Sequence, residues 1–415
     1  MIRQSVRDGT LVSIALLLSI FGISMVYSAG VTDGRSVAAG LWKTQAMWFC
    51  MGLVGAYVVS RLSVRMLEWL TLPGYIFSVA ILAVLPIFGG GAGTAAATKS
   101  WLIIGGVRLG QPSEFAKIAV VLMLARVLAA RREEPRSLIE LWKPLLVVGV
   151  PWLLIMAQPD LGTGIVFIGI FFAMLFWAGV PWQLLVLLAS PAVSLILSFS
   201  TAMWGGWFLL LIALIFFYKP YLVEGVALVV ANVAMGVVAP ILWDSLAPYQ
   251  QNRLLVFLDP EIDKQAAGYH VIQSQVAIGS GGWFGNGFTM GPQKRLAFLP
   301  EQHTDFIFAV VGEELGFLGV ALALTLFLLL FLRIVRIAHR ANDPFSGLAA
   351  FGLLASWLVH VVVNIGMTLN LMPITGIPLP FFSYGGSFML ASWLAIGVLV
   401  RISAEGRGHL GQLRV

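Results

Sequence analysis

The residues of this sequence best suited to chemistry are the charged side chains at the edges of its hydrophobic segments, and Glu114 and Lys117 form the clearest pair. They are three residues apart at the start of such a segment, so on a helix they share one face. Pro112 fits the first turn of that helix, where its missing N–H costs nothing. The pair is either an ion pair that satisfies itself or the floor of a polar cavity in which Lys117 and the helix N-terminus face an anion. We favour the cavity, because two charges this close to lipid are rarely retained for stability alone.

A second candidate is the polar stretch from Arg253 to His270, in which Asp259, Glu261 and Asp263 are crowded together. Neighbouring negative charges and partial burial raise the pKa of a carboxyl group, and a carboxylate tuned in this way can act as a general base on a hydroxyl. The alternatives are a solvated acidic turn and a divalent-cation site. The spacing does not decide among them, although Asp-x-Glu-x-Asp lacks the remaining elements of an EF-hand loop.

Other polar residues at segment ends have simpler explanations, which stay open. Asp160, in a Gln-Pro-Asp-Leu-Gly sequence, and Asp305, next to Thr304, are each explained by capping of the following helix. His303 is compatible with a surface histidine. Trp101 is typical of an aromatic anchor at the membrane interface, and the alternative is a ring that stacks on a sugar.

Two stretches rich in glycine or proline predict irregular backbone. Residues 279–287 lack the Gly-Lys-Ser/Thr ending of a phosphate-binding loop, so a flexible re-entrant segment is the default interpretation. Residues 378–387 break the helical pattern and place the hydroxyls of Ser383 and Tyr384 at a membrane edge. Non-helical backbone at this depth normally lines a cavity.

The composition determines which class of protein must position these residues. Of 415 residues, 59% are hydrophobic and only 11% are charged, and the mean hydropathy is +0.94. These values exclude an ordinary soluble fold and a disordered chain. Cys50 is the single cysteine, so the chain has no internal disulfide, and no zinc-type Cys/His spacing occurs. The net charge of +6 fits basic cytoplasmic loops better than a nucleic-acid partner, and no nucleic acid is expected.

About twelve segments are apolar enough to span a membrane. They are residues 11–29, 42–60, 69–88, 113–130, 144–157, 161–178, 182–198, 204–218, 221–243, 304–332, 346–371 and 385–400. The first is predicted to be a retained span, because no small-residue cleavage site follows it. The predicted fold is therefore an all-α polytopic membrane protein in which residues 1–415 form a single integral membrane domain.

Basic residues predict the orientation of these spans. Arg61 and Arg65 follow the second segment, and further arginines follow the fourth and tenth, so alternating spans place them all on one side. Lys and Arg are enriched in cytoplasmic loops, so that side is predicted to be cytoplasmic, with both termini inside. The opposite side then holds the loop 89–112 and a large loop, 244–303.

Four sequence blocks, taken together and in this order, resemble a known family. They are Gln-Pro-Ser-Glu with Lys117 at 111–117, Gln-Pro-Asp-Leu-Gly at 158–162, Leu-Pro-Glu-Gln-His-Thr-Asp-Phe-Ile-Phe running into Gly-Glu-Glu-Leu-Gly at 299–316, and Asn-Ile-Gly-Met followed by the 373–387 stretch. On these blocks the chain is similar to the SEDS family, named for shape, elongation, division and sporulation. The Ile-Thr-Gly-Ile-Pro-Leu-Pro sequence at 374–380 resembles the rod-shape branch more than the division branch.

The resemblance implies a peptidoglycan glycosyltransferase that polymerises lipid II during cell elongation and shape maintenance. It implies a core of ten spans, so the pair within 201–243 is expected to be additional, and 244–303 is expected to be the catalytic loop. Asp263 matches the family's essential aspartate, which would be the general base. Glu114 and Lys117 match residues that line the same cavity.

The full set of side chains expected to contact substrate combines this resemblance with the polar residues at the predicted outer membrane edge. It consists of Trp101, Arg108, Gln111, Ser113, Glu114, Lys117, Asp160, Arg253, Tyr269, His270, His303, Asp305, Ser383 and Tyr384. No covalently bound cofactor is expected, and a divalent cation, Mg²⁺ or Mn²⁺, is compatible with a diphosphate leaving group.

The resemblance also implies the surroundings of the protein. The expected location is the bacterial cytoplasmic membrane, where the protein contacts membrane lipids, and the expected partner is a class B penicillin-binding protein, a transpeptidase. One departure concerns the turn after Asp263, where Lys264, Gln265 and Ala266 replace the family's frequent Pro and Gly. The alternative functions are a lipid II flippase and a non-catalytic scaffold for the transpeptidase. Transport predicts ionisable residues through the midplane, whereas the charges here cluster at one face.

Overall fold

The structure, a computed structural model, describes residues 8–34, 37–91, 99–104, 107–131, 133, 135, 137–263, 267–299 and 301–412. The side chains of Arg108 and Asp263 are not among those described. Residues 264–266, the turn in which the sequence departs from the family pattern, also lie outside the described residues.

Helices account for most of the fold. In chain order they are α1 (Gly9–Ala29), α2 (Leu41–Val59), α3 (Val64–Phe88), α4 (Pro112–Ala129), α5 (Trp142–Met156), α6 (Leu161–Trp177), α7 (Trp182–Leu197), α8 (Thr201–Tyr218), α9 (Leu222–Ser245), α10 (Pro248–Leu258), α11 (Ala267–Ser280), α12 (Pro292–Arg295), α13 (Ile307–His339), α14 (Pro344–Thr368) and α15 (Gly386–Gln412). Short 3₁₀ turns occupy Ile139–Leu141 and Pro260–Asp263.

Each predicted membrane segment overlaps one of the long helices, α1 to α9 or α13 to α15. Within the described residues, 8 helices are long and apolar enough to cross a membrane, and α6 and α7 are shorter apolar helices. The number of spans, their orientation and the sidedness of both loops stay predictions.

Two helices continue past the ends predicted from hydropathy. Helix α13 runs to His339 rather than residue 332, and α15 runs to Gln412 rather than residue 400. Hydropathy falls where basic residues begin, but the backbone hydrogen bonds of a helix do not require apolar side chains. Arg333, just past the predicted end of α13, stays helical and forms an ion pair of 2.7 Å with Asp8 at the start of α1.

The core lies around α14 and α15. Within an apolar stretch of 18 residues in each helix, 72% of the residues of α14 and 78% of those of α15 are buried, compared with 6% for α8. Helix α14 packs against α4, α6 and α13, and α15 packs against α2. The side chains that must be shielded from lipid are therefore brought together where α4, α14 and α15 meet.

The predicted additional pair, α8 and α9, packs on α7. Asn232 on α9 donates hydrogen bonds to the Ser190 hydroxyl of α7 at 2.8 Å and to the Leu228 carbonyl, and it accepts one from the Ser194 hydroxyl at 2.7 Å. All three polar side chains are fully buried. Interhelical hydrogen bonds of this kind join helices in lipid, where apolar contact alone gives little preference for association.

Part of the segment 89–112, which was predicted to be a loop, forms short β-strands. β1 (Gly89–Gly90), β2 (Trp101–Ile104) and β3 (Val107–Gly110) form an antiparallel sheet in the order β1-β2-β3. The sequence predicted no strands here, because such short strands leave no alternating pattern long enough to detect.

Glycines allow the 281–287 loop to pack directly on the backbone of α13. Gly316 interrupts α13 with a φ of 60°, and Gly285 has a φ of 78°. A Cβ atom on Gly285 would overlap the Glu314 carbonyl, and one on Gly316 would overlap the Gly285 amide nitrogen. Both positions therefore require glycine for its positive φ and for the close approach.

A buried ion pair fixes the next part of the same loop. The Lys294 ammonium on α12 lies 2.6 Å from Glu314 of α13, and both side chains are fully buried. Lys294 also contacts the hydroxyl of Ser28 on α1 at 3.1 Å, and that hydroxyl donates to Glu314. Glu313 accepts hydrogen bonds from the backbone amides of Gln293 and Lys294. The Gly-Glu-Glu-Leu-Gly block thus ties the loop to α1 and α13.

We expect Lys294→Met to destabilise the protein by about 3–5 kcal/mol, because it leaves the Glu314 carboxylate buried without its cation. Thermal or denaturant unfolding in detergent measures the loss. The control is Lys294→Met combined with Glu314→Leu, which removes both charges and should recover most of the stability. A single variant as stable as the wild type would show that this pair does not anchor the loop.

Candidate functional site

Glu114 and Lys117 lie on the first two turns of α4, as their spacing predicted. The Lys117 Nζ and Glu114 Oε2 atoms are 2.8 Å apart, and the side chains are only 3% and 4% exposed. Both line a partly open cavity between α4, α14 and α15, with about 300 Å³ of empty space when its open mouth is included. The remaining walls of the cavity come from Ile118, Leu353, Ser356, Trp357, Phe388, Ala391, Ser392 and Ala395. The two interpretations of the pair are therefore compatible, since the ion pair forms part of a cavity wall.

Gln111 and Asp160 connect the first two sequence blocks. Asp160 caps α6 by accepting hydrogen bonds from the Thr163 amide at 3.0 Å and the Thr163 hydroxyl at 2.9 Å. Its second oxygen also accepts a hydrogen bond of 3.1 Å from the Gln111 side chain, at the start of α4. The cap is thus real, and it also positions the α4 N-terminus. A substrate contact by either residue stays a prediction.

Three predicted residues precede or begin α4. Trp101 lies on β2, paired with Gly90, and its side chain is half-buried. Arg108 lies on β3. The Ser113 hydroxyl is buried and has no hydrogen-bond partner among the described residues, so it is a polar group for which a ligand could supply the partner.

The segment after α14 meets the residues that precede α13. The Ser383 hydroxyl donates to the Thr304 carbonyl at 2.6 Å and accepts from the Leu379 amide at 2.8 Å. The Tyr384 amide donates to the His303 carbonyl at 2.8 Å, and the two rings are 5.8 Å apart. His303, Asp305, Ser383 and Tyr384 are therefore brought together, although the Ser383 hydroxyl already has both a donor and an acceptor within the protein.

Asp305 lies just before α13, so it is outside the helix long enough to cross the membrane, although the predicted segment 304–332 included it. Its Oδ2 atom lies close to Gly376. The pKa of this carboxyl is raised to about 7, first by burial and then by the negative charge of Glu301, against the opposing effects of the Arg253 charge and a hydrogen bond from Thr304. Burial also lowers the pKa of the His303 imidazole, against the opposing effect of Glu301. Arg253, on α10, is thus close enough to act electrostatically on the start of α13.

The loop that is expected to be catalytic is described up to the backbone of Asp263 and again from residue 267. Asp263 ends the 3₁₀ turn Pro260–Asp263, where the Asp259 carboxylate accepts a hydrogen bond from the Glu261 amide. Tyr269 and His270 lie in the first turn of α11, and the His270 ring stacks on Phe306 at 6.0 Å. The distance from the Asp263 carboxylate to Glu114 and Lys117 is not defined by the described side chains, so their proximity stays a prediction.

The middle of helix α11 is held by the C-terminal end of α14. The Ser274 hydroxyl donates to the Thr368 carbonyl at 2.9 Å, and the Gln275 side chain donates to the Leu369 carbonyl at 3.3 Å. These contacts fix the segment that follows Asp263 against the same helix that forms one wall of the cavity.

Sequence reasoning missed three buried polar residues at this site. Gln45 donates to the Ser383 carbonyl at 2.9 Å and accepts from the Gly385 amide at 3.1 Å. Asn364, quoted only within a motif, donates to the carbonyls of Asp305 and Ile377. His360 contacts Lys117. For His360 and Asn364 the available signal was a lone polar residue inside an apolar helix, whereas Gln45 directly follows Lys43 and Thr44 near the start of α2.

In the part of the chain that the structure describes, no group of three or more His, Cys, Asp or Glu side chains is placed to hold a metal ion.

Comparisons with known proteins agree with the sequence blocks. The FtsW/RodA/SpoVE family, described as "Cell cycle protein", matches residues 9–211 and 206–408. The peptidoglycan glycosyltransferase RodA of Treponema pallidum (strain Nichols) is 36% identical, over 96% of this chain and 98% of the relative. The peptidoglycan glycosyltransferase MrdB of Escherichia coli (strain K12) is 37% identical, over 95% of this chain and 93% of the relative.

A solved structure is similar over nearly the same length. It belongs to a peptidoglycan synthase complex described as coordinating polymerization and crosslinking, and one of its chains superposes with a TM-score of 0.71. That chain is 27% identical, and the match covers 96% of this chain and 98% of that one.

The raised pKa of Asp305 predicts a pH-dependent stability. The folded state keeps this proton up to about pH 7, whereas an unfolded aspartate loses it near pH 4, so ionisation destabilises the folded state progressively between these values. Asp305→Asn should therefore raise Tm relative to the wild type by about 2 °C or more at pH 8, and by little at pH 4.5.

Thermal unfolding in detergent at both pH values measures this difference. Glu301→Gln is the matched control, because removing its negative charge should move the Asp305 transition to lower pH. A Tm difference between Asp305→Asn and wild type that is the same at pH 4.5 and pH 8 would contradict the assignment.

Proposed function

The chain belongs to the FtsW/RodA/SpoVE family, the SEDS family that its motifs resemble, and on this basis we propose that it is a peptidoglycan glycosyltransferase of the RodA type. It polymerises lipid II into glycan strands at the outer face of the bacterial cytoplasmic membrane during elongation. Two relatives that align over almost the whole chain are named peptidoglycan glycosyltransferases, which supports the reaction class. The apolar helices and the family make the chain a multi-pass membrane protein.

The proposed reaction is an inverting glycosyl transfer. The 4-hydroxyl of an incoming lipid II sugar attacks the anomeric carbon of the nascent strand, which is carried on undecaprenyl diphosphate. Asp263 accepts the hydroxyl proton as the new C–O bond forms, and the bond between the anomeric carbon and the diphosphate oxygen breaks. Undecaprenyl diphosphate leaves with the bonding electrons, so its phosphates require positive charge nearby.

The observation that carries the proposal is the burial of Lys117 in a cavity wall at the N-terminal end of α4. The ammonium forms an ion pair with Glu114 and contacts the His360 ring, and with three N–H donors it can also donate to a phosphate oxygen. The N-terminus of α4 adds partial positive charge. Arg108 and Arg253 are further candidates for contact with the leaving group. A divalent cation bound to the diphosphate would add further positive charge, but the roles of Asp263 and Lys117 do not require one.

We also propose a class B penicillin-binding protein as the partner. The similar chain comes from a peptidoglycan synthase complex in which polymerization and crosslinking are coordinated, which supports a paired polymerase and transpeptidase. Lipid II and membrane lipids are the other expected contacts.

The direct test supplies purified protein, with its partner present, with labelled lipid II. The wild type should make glycan polymer, and Asp263→Asn should reduce the rate by about 10²–10⁴-fold, the usual contribution of a general base. The matched control is Glu261→Gln, which removes a carboxylate from the same turn and should retain most activity. Polymer from Asp263→Asn at the wild-type rate would eliminate the proposed base.

The same assay separates the alternative functions. A wild-type protein that moves lipid II across vesicles without making polymer would support a flippase. No polymer and no transport, together with an unaltered complex with the transpeptidase, would support a scaffold.

A further inference from the structure

His360 is a buried histidine on α14 whose two ring nitrogens both have partners. Its Nε2 atom lies 2.7 Å from the Lys117 Nζ, and its Nδ1 atom lies 2.8 Å from the Pro378 carbonyl oxygen. The side chain is 1% exposed. Lys117 lies on a different helix, and Pro378 belongs to the irregular segment that also carries Ser383 and Tyr384.

The chemistry of the partners determines the protonation of the ring. A carbonyl oxygen only accepts hydrogen bonds, so Nδ1 must carry a hydrogen and donate it to Pro378. A protonated lysine only donates, so Nε2 must be unprotonated and accept from Lys117. Glu114 lies 2.8 Å from the same nitrogen as its partner in an ion pair. His360 is therefore the neutral Nδ1–H tautomer, with its free lone pair directed at Lys117.

Phe388 on α15 restrains both groups from one side. The His360 ring stacks on the Phe388 ring with centroids 4.7 Å apart and an interplanar angle of 27°, and the Lys117 ammonium lies 5.2 Å from the same centroid. The ring cannot turn without losing this stacking and both hydrogen bonds. The direction of the lone pair is thus fixed by α14, α15 and the 378–384 segment together.

We propose that His360 is a positioning residue that directs the Lys117 ammonium into the cavity and couples it to the segment carrying Ser383 and Tyr384. This role rests on the function proposed above. Glu114 neutralises the lysine, but it lies on the same helix and fixes the ammonium from one side only. His360 supplies the second acceptor from another helix, so that the remaining N–H donor has one preferred direction.

A histidine that merely fills space between helices would be replaceable by an apolar residue of similar size. Here an apolar replacement would leave the Pro378 carbonyl and one Lys117 donor without their partners. Glutamine would restore both contacts, because its side chain has an acceptor oxygen and a donor nitrogen.

The first test is independent of activity and uses ¹⁵N-histidine NMR of the full chain in detergent or nanodiscs, with the signal assigned from its absence in His360→Gln. We expect a neutral ring with unprotonated Nε2, and a shift of the Nε2 resonance in Lys117→Met. A ring protonated at Nε2, or an Nε2 resonance that is the same in Lys117→Met, would overturn the proposed contact.

The second test measures lipid II polymerisation. We expect His360→Leu to lower kcat by about 100-fold, as misplaced catalytic groups typically do, and His360→Gln to recover most of that loss. The matched control is His339→Leu, which should polymerise like the wild type. His339 is an exposed histidine at the end of α13, and its ring lies 4.6 Å from the Trp177 ring at an angle of 59°. Comparable kcat values for His360→Leu and wild type, with the wild type active, would refute the positioning role alone, as would equal losses in His360→Leu and His360→Gln. Failure of the wild type to make polymer would instead refute the proposed function, and with it the role.

Discussion

A buried ammonium group must be compensated, and Lys117 is the point at which this requirement organises the protein. Placing an unpaired charge in a low-dielectric interior costs several kcal/mol, so the charge persists only where acceptors surround it. Lys117 receives them from its own helix through Glu114 and from α14 through His360. His360 in turn depends on the Pro378 carbonyl. One charged side chain therefore constrains α4 and α14 directly and an irregular segment through His360, and the cavity that it lines lies between α4, α14 and α15.

Irregular backbone inside a membrane protein poses a related problem, because its amides and carbonyls have no helical partners. Here buried amide side chains supply them. The Gln45 side chain donates a hydrogen bond to the Ser383 carbonyl and accepts one from the Gly385 amide. The Asn364 side chain donates to the carbonyls of Asp305 and Ile377. The irregular segment before α15 is thus held by α2 and α14, and it can keep a fixed shape without being helical.

Local sequence patterns were sufficient to predict most of the helices and part of the candidate site. Helix positions followed from hydropathy, the shared face of Glu114 and Lys117 from their spacing, and the Asp160 cap from its place before α6. Contacts between distant residues could not be derived in this way. Lys117 and His360 are 243 residues apart, and no local pattern specifies their pairing. No local pattern specifies the contact between Lys294 and Ser28 either. The strand that contains Trp101 is too short to produce a periodic signal.

The central claim is that the Glu114–Lys117 pair serves the reaction rather than the fold, and the double variant Glu114→Met/Lys117→Met tests it most directly. Replacing a buried ion pair by apolar residues of similar volume is often neutral or stabilising by about 1–4 kcal/mol. Thermal unfolding and lipid II polymerisation are measured on the same purified sample. We expect a folded protein with a Tm at or above that of the wild type and no detectable polymer. A double variant that polymerises lipid II at the wild-type rate would contradict the account.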